Sequence, residues 1–238
     1  MPRIYVPSLG PTDWRRLLAD PGKHWKRGNS ALELAVCWEA ARNTCRGLPP
    51  EVAAALDTVP SLLGSELLVC FPEHQVALEG GGHPSQNDLW ALLRTATGNA
   101  SLALEAKAGE PLDRLVRDWL PDGDQRSGKP LRLAALQSIL GIKEADVSTI
   151  RYQLLHRAAS AVLEARRFHA HAAVLIVQSF NRAADEESWK DFGRFGELLG
   201  ASPAEGALHQ ASVATLVPLY VGWVTSAPAG NELLGAAA

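Results

Sequence analysis

The sequence predicts an α/β sandwich around a mixed sheet, and three observations carry that expectation. Val174-Leu175-Ile176-Val177 is an unbroken apolar run, the pattern of a strand covered on both faces. Leu102 to Lys107 alternates, with Leu102, Leu104 and Ala106 on one side and Ala103, Glu105 and Lys107 on the other, as the two-residue period of a strand requires. Segments with helical periodicity lie between such strands, and interleaved strands and helices build layered α/β folds. With 238 residues, 47% of them hydrophobic, the chain can fill one core, so residues 1–238 are expected to form a single domain.

The elements follow in order. Residues 3–7 read as a short edge strand. Residues 11–28 read as irregular, with a basic cluster at Lys23, His24, Lys26 and Arg27. A helix is expected over 30–46, because Ser30 and Glu33 have the spacing of a capping box. Pro49-Pro50 ends it and starts a shorter helix reaching Asp57. Residues 67–71 and 75–79 read as a hairpin turning at Pro72-Glu73-His74. Gly80-Gly81-Gly82 breaks the regular structure, and residues 85–95 are expected to be helical with Ser85 as cap. Gly98-Asn99 turns into a strand over 102–108. Helices over 111–120 and 130–141 flank a polar loop at 121–129. A long helix over 147–168, a strand over 172–180, an amphipathic helix over 189–200 and a strand within 213–224, bent at Pro218, complete the order. Residues 226–238 are mostly small and read as a mobile tail.

Composition narrows the function classes. The net charge of −3 argues against a protein that coats nucleic acid non-specifically, because such binding runs on excess Lys and Arg. Cys37, Cys45 and Cys70 are odd in number and lack C-x-x-C spacing, so neither a disulfide framework nor a structural zinc site is expected. The N-terminus lacks a signal-peptide pattern and no apolar run has the length of a membrane span, so a cytoplasmic location is expected. His169 and His171 have no partners at metal spacing. Phosphate-loop, dinucleotide and nucleophile-elbow motifs are absent from the sequence.

The residues that stand out are charges in apolar surroundings. Glu105 and Lys107 share one face of an otherwise apolar strand, and buried charge is costly unless paired or bound to metal. They form either a surface ion pair or a site with Glu105 on Mg2+ and Lys107 beside the attacking water, its own pKa depressed. Asp88 is the natural second carboxylate, or a helix cap. Glu33 borders the buried stripe of Val36, Cys37 and Ala40 on its helix, either tied to backbone amides or aimed into a site. Arg151 falls in the arc of Leu154, Leu155 and Ala158, in the first turn of its helix. It therefore wants a buried anion, either a protein carboxylate or a phosphate. Gln153, Arg157, Ser160 and Glu164 form the polar face of that helix, and Gln153 and His156 could line a cleft. Lys26 and Arg27 precede a helix N-terminus, where phosphate contact and a solvated charge run are both open.

A helix carrying Glu33, then Asp88, then Glu105-Ala106-Lys107 in a strand, then a helix and a further strand resembles the PD-(D/E)XK nuclease superfamily over about residues 28–180. The resemblance implies a restriction-endonuclease-like αβββαβ core with helical insertions and a mixed central sheet flanked by helices. It implies that Asp88 and Glu105 hold Mg2+, for which Mn2+ can substitute, with Glu33 as the extra helix acid and Lys107 assisting the water. Arg151 and Gln153 would match polar residues on the helix after the motif strand. The expected partner is nucleic acid, DNA in particular, with His156, Lys26 and Arg27 also touching it, and an exposed edge strand would permit a homodimer. The alternative is a nuclease-fold binding or regulatory protein without turnover. The chain departs from the family pattern at Asp88, which reads as helical where the family's acid starts a strand.

Overall fold

The computed structural model describes residues 8–121 and 127–229. The strand expected at 3–7, most of the 121–129 loop and the tail beyond residue 229 lie outside the described residues. A 3-10 turn at Pro11–Leu17 and the short helix α1 (Pro21–His24) lead to α2 (Ser30–Ala41) and α3 (Pro50–Asp57). Three antiparallel strands follow: β1 (Glu66–Val76), β2 (Ser85–Thr95) and β3 (Gly98–Lys107). Helices α4 (Val116–Trp119), α5 (Lys129–Ile139) and α6 (Tyr152–Arg167) separate β3 from β4 (Ala172–Ser179). The chain continues through α7 (Glu186–Leu198), β5 (Leu208–Gln210) and β6 (Leu219–Thr225). The sheet is six-stranded, open and mixed, in the order β1-β2-β3-β4-β6-β5, with β4 parallel to both β3 and β6.

Two apolar layers sandwich this sheet. One packs α2 and α3 against Leu89, Leu102, Leu104 and Ile176. The other packs α5, α6 and α7 against Ala103, Leu175, Val177 and Trp223. Every residue of β4 is buried, as its apolar run requires. Among the described residues no helix is long and apolar enough to cross a membrane.

The largest correction concerns residues 85–95, which form strand β2 and not a helix. Leu, Trp and Ala between Asp88 and Thr95 suit a helix locally. Strand neighbours on both sides and apolar layers on both faces override that preference. Residues 67–71 and 75–79 are likewise not two strands but one, β1, with a bulge between Leu67 and Val69. Pro72 fits there because β1 is an edge strand, where a missing amide is tolerated; Glu73 adopts a left-handed φ of 55°.

Other boundaries move. The helix expected over 30–46 ends at Ala41, and its cap residue is Asn29, not Ser30. Only Val116–Trp119 of the 111–120 segment is helical. Helix α6 begins at Tyr152, so Arg151 caps it in extended conformation and pairs with Leu115 outside it. Helix α7 starts at Glu186, ahead of the expected Trp189, and the last strand starts at Leu219, past Pro218.

Two core thiols give the fold a pH signature. Burial pushes Cys37 up to about 11 from its usual 9.0, and pushes Cys70 up further. The unfolded chain releases these protons above pH 9 while the folded chain keeps them, so stability that is full below pH 9 is lost as pH rises. Urea unfolding at pH 8 and pH 10 should differ by about 3 kcal/mol from the two thiols, and by about half of that in Cys70→Ala. An identical pH dependence in the variant would contradict the assignment.

Candidate metal and phosphodiester site

The sheet register aligns three carboxylates. The β2–β3 pairing ends at Leu89↔Leu104, and one further step brings Asp88 opposite Glu105. Pro72↔Leu89 and His74↔Asn87 bracket Glu73 opposite Asp88. Glu73, Asp88 and Glu105 thus come from neighbouring positions of three adjacent strands. The alternation of β3 sends Leu102, Leu104 and Ala106 into the α2–α3 layer, which turns Glu105 and Lys107 toward α6.

Helix α6 closes on them. Glu105 is 2% exposed. Its Oε1 accepts from Lys107 Nζ at 2.7 Å and from Gln153 Nε2 at 2.7 Å. Its Oε2 accepts from Arg157 Nε at 2.6 Å. Gln153 Oε1 accepts from the Asp113 amide at 3.1 Å and lies 3.5 Å from Lys107 Nζ, which fixes the orientation of its amide. Asp88 Oδ2 accepts from the Ala106 amide at 2.8 Å, while Oδ1 lies 3.7 Å from Arg157 Nη2. Glu73 Oε2 accepts from Gln86 Nε2 at 2.6 Å. A cavity of about 190 Å3 opens on Glu73 and Asp88, walled also by His24, Ser30 and Ala31.

The electrostatics divide the acids. Burial would raise Glu105, but Lys107 and Arg157 outweigh it and hold the carboxyl below its usual range. Burial, then the neighbouring Glu105, pushes Asp88 up to about 8; burial likewise pushes Glu73 up to about 7. Lys107 does not carry the depressed pKa that deprotonating the water would need. Burial lowers it, yet Glu105 and Asp88 more than compensate and raise it. Lys107 is therefore an ammonium that orients groups, not a free base.

The other expected residues are scattered. Glu33 does not join the cluster, because its carboxylate accepts from the Gly28 amide at 3.1 Å and the Ala229 amide at 2.6 Å. Arg151 takes the protein-carboxylate option, with Nε donating to Asp191 at 2.5 Å and Nη1 to the Asp113 carbonyl at 3.1 Å. Lys26 and Arg27 are exposed in the turn between α1 and α2, whose flanking residues His24 and Ser30 wall the carboxylate cavity. His156 faces away from the carboxylates, with Nδ1 2.8 Å from Ser85 Oγ.

Arg157 and Glu73 are site residues that the sequence does not single out. Helical periodicity puts Arg157, Ser160 and Glu164 on a solvated face, but all three are buried, Arg157 and Glu164 against the sheet, where they meet Glu105 of β3 and His74 of β1. The signal for Arg157 is its position four residues after Gln153, on the same side of the helix. Glu73 offers no signal, because its place depends on β1 running unbroken through Pro72.

Asp88 and Glu105 are the residues of this cluster that could hold a hard divalent cation. Among the described residues no three His, Cys, Asp or Glu side chains form a closed metal-binding group. Mg2+, however, keeps several waters and is typically bound through one or two carboxylates plus substrate phosphates. Asp88 and Glu105 are two carboxylates at facing positions of adjacent strands, and both oxygens of Glu105 accept from Lys107, Gln153 and Arg157. No curated protein and no solved structure matches the chain. A family model described as a domain of unknown function, DUF6946, matches residues 7–228, and the chain belongs to that family.

Proposed function

We propose that this protein is a Mg2+-dependent nuclease of the PD-(D/E)XK type, hydrolysing phosphodiester bonds of DNA. The observation that carries the reading is Asp88 opposite Glu105 in adjacent strands, with Lys107 two residues on, 2.7 Å from Glu105. The succession α2, β1-β2-β3, α6, β4, in the sheet order β1-β2-β3-β4, supports a restriction-endonuclease-like αβββαβ core, with α4 and α5 as insertions. The departure expected at Asp88 disappears, since Asp88 lies near the start of a strand.

Asp88 and Glu105 would hold the cation, and Glu73, which shares a cavity with Asp88, would add negative charge that favours it. When bound, Mg2+ lowers the pKa of a coordinated water and offsets charge on the phosphate. Lys107 and Arg157 keep Glu105 ionised, which a hard metal ligand must be. Gln153 holds Lys107 in place, so its ammonium can orient the water or a phosphate oxygen. Lys26 and Arg27, beside the cavity wall, are suited to contact the strand's phosphates. Free Cys37 and Cys70 suit a reducing, cytoplasmic setting.

A second reading rests on one observation. Both oxygens of Glu105 already accept hydrogen bonds from Lys107, Gln153 and Arg157, so the cluster could persist as a structural network in a binding protein without turnover. The two readings separate in a cleavage assay on plasmid, single-stranded DNA and RNA with Mg2+, Mn2+ or EDTA. The nuclease reading expects cleavage of DNA with either cation, none in EDTA, and none from Glu105→Gln. Absence of cleavage under every condition, or cleavage undiminished in Glu105→Gln, would overturn it.

A further inference from the structure

A second cavity, of about 390 Å3, adjoins the carboxylate cluster. Arg157 bridges the two: its Nε donates to Glu105, and its Nη1 lies 3.3 Å from Ser85 Oγ, which lines the second cavity. Helix α6 serves both, with Gln153 and Arg157 on the carboxylates and Tyr152 and His156 on the second cavity. The volume falls in the range of small-ligand sites.

The chemistry of its walls points to an anion. Lys129 and Arg132 line it, and no acid among the described residues does. Arg132 is 8% exposed, yet its guanidinium donates to main-chain carbonyls, those of Glu79 at 3.3 Å, His83 at 2.7 Å and Gly81. Neutral acceptors satisfy its hydrogen bonds, and no described carboxylate pairs with its charge, a costly arrangement for a buried cation. Lys129 Nζ donates to the Trp119 carbonyl at 2.9 Å, again a neutral partner.

The glycine loop completes the wall. Gly80, Gly81 and Gly82 have φ of 87°, 70° and 74°, and none of their amides donates to a described acceptor. Successive free amides in a turn form concavities that hold anions. Gly80 has no room for a side chain, since a Cβ would meet the Gly128 oxygen at 2.5 Å and the Arg132 nitrogen at 2.8 Å. The loop is thereby pressed onto the start of α5. Beside these donors stand rings. Trp119 and Tyr152 stack with centroids 3.9 Å apart, and His156 packs on Tyr152 at 4.8 Å. Burial, then Arg157 and Arg132, holds His156 well below its usual pKa, which is further sign of positive potential here.

Cations and free amides beside stacked rings form the pairing that recognises a nucleotide: charge for its phosphate, ring contact for its base. We propose that this cavity is a nucleotide subsite, taking the phosphate on Lys129 and the Gly80–Gly82 amides and the base against the Trp119–Tyr152 pair. The proposal rests on the nuclease reading for its biological substrate, the nucleotide next to the bond cut at Asp88 and Glu105.

Calorimetric titration of the full chain in EDTA with deoxythymidine 5′-monophosphate, deoxythymidine and inorganic phosphate tests it. The monophosphate should bind tightest of the three. Lys129→Ala and Lys129→Met, which keeps the apolar stem, should each weaken it about tenfold, the scale of one lost charge-assisted contact. Equal binding by wild type and both variants, or no binding of the monophosphate, would overturn the subsite. Inorganic phosphate binding as tightly as the monophosphate would overturn its assignment to a nucleotide. No cleavage runs in EDTA, so this binding reports on the cavity alone, whereas failure to cleave with Mg2+ reports on the carboxylates.

Discussion

Alanine in place of Glu105 is expected to destabilise the protein by about 3–5 kcal/mol, because it strands two buried cations at once. Lys107 and Arg157 have side chains only 6% and 7% exposed. Glu105 compensates both through bonds of 2.7 and 2.6 Å. Asp88 is the nearest remaining acid, at 3.7 Å from Arg157, and burial favours its neutral form. The variant should melt about 6–20 °C below wild type, given about 2–4 °C per kcal/mol for a chain of this size. Glu105→Gln keeps the shape but not the charge and should lie between the two. Pairing Glu105→Ala with Lys107→Met should recover part of the loss, since the second change removes one of the stranded charges. A wild-type melting temperature for Glu105→Ala would mean that water reaches the cluster and the site is not closed as described.

Half of that cluster is legible in the amino-acid sequence. The alternation of residues 102–107 places Glu105 and Lys107 on one face of a strand whatever the rest of the chain does, because the two-residue period is local. The buried strand β4 and helix α3, with Pro50 in its first turn, are legible for the same reason. Asp88 can be nominated by its residue type but not located. Whether Leu89 to Leu93 is a helix or a strand is decided by β1 and β3, which lie next to it in space and not in the window of sequence that sets local preference. Once β2 is a central strand, its unbroken apolar run has the same meaning as that of β4. The burial of Arg157 and Glu164 has a similar origin. A helical wheel assigns one face to water, but that polar face of α6 packs on the sheet, where Glu105 and His74 receive it. For Glu33 the helical wheel leaves two options open, and the structure takes the first: the carboxylate at the edge of the buried stripe is satisfied by two main-chain amides, one of them from Ala229 at the far end of the described chain.

Asparagine at position 88 separates a site from a structural network more sharply than any change to Glu105. Burial and the charge of Glu105 push Asp88 up to about 8 from a usual 3.8. The folded protein therefore keeps a proton that the unfolded chain releases above pH 4. Stability that is full below about pH 4 is lost as pH rises toward 8. Asparagine cannot ionise, so this loss should vanish, while its side-chain oxygen can still accept from the Ala106 amide. In EDTA at pH 7, Asp88→Asn should be at least as stable as wild type, with a flatter dependence on pH between 4 and 8. Mg2+ should raise the melting temperature of wild type, because a ligand bound only to the native state stabilises it, and should leave the variant unmoved. Cleavage should fall at least about a hundredfold, the scale set by losing one electrostatic contributor to a transition state. A fold that holds while activity collapses is what a cation-binding carboxylate predicts. A structural ion network in a protein without turnover predicts no cleavage to lose and no Mg2+ shift in melting for either protein, and that outcome, or cleavage that survives the substitution, would sink the nuclease assignment.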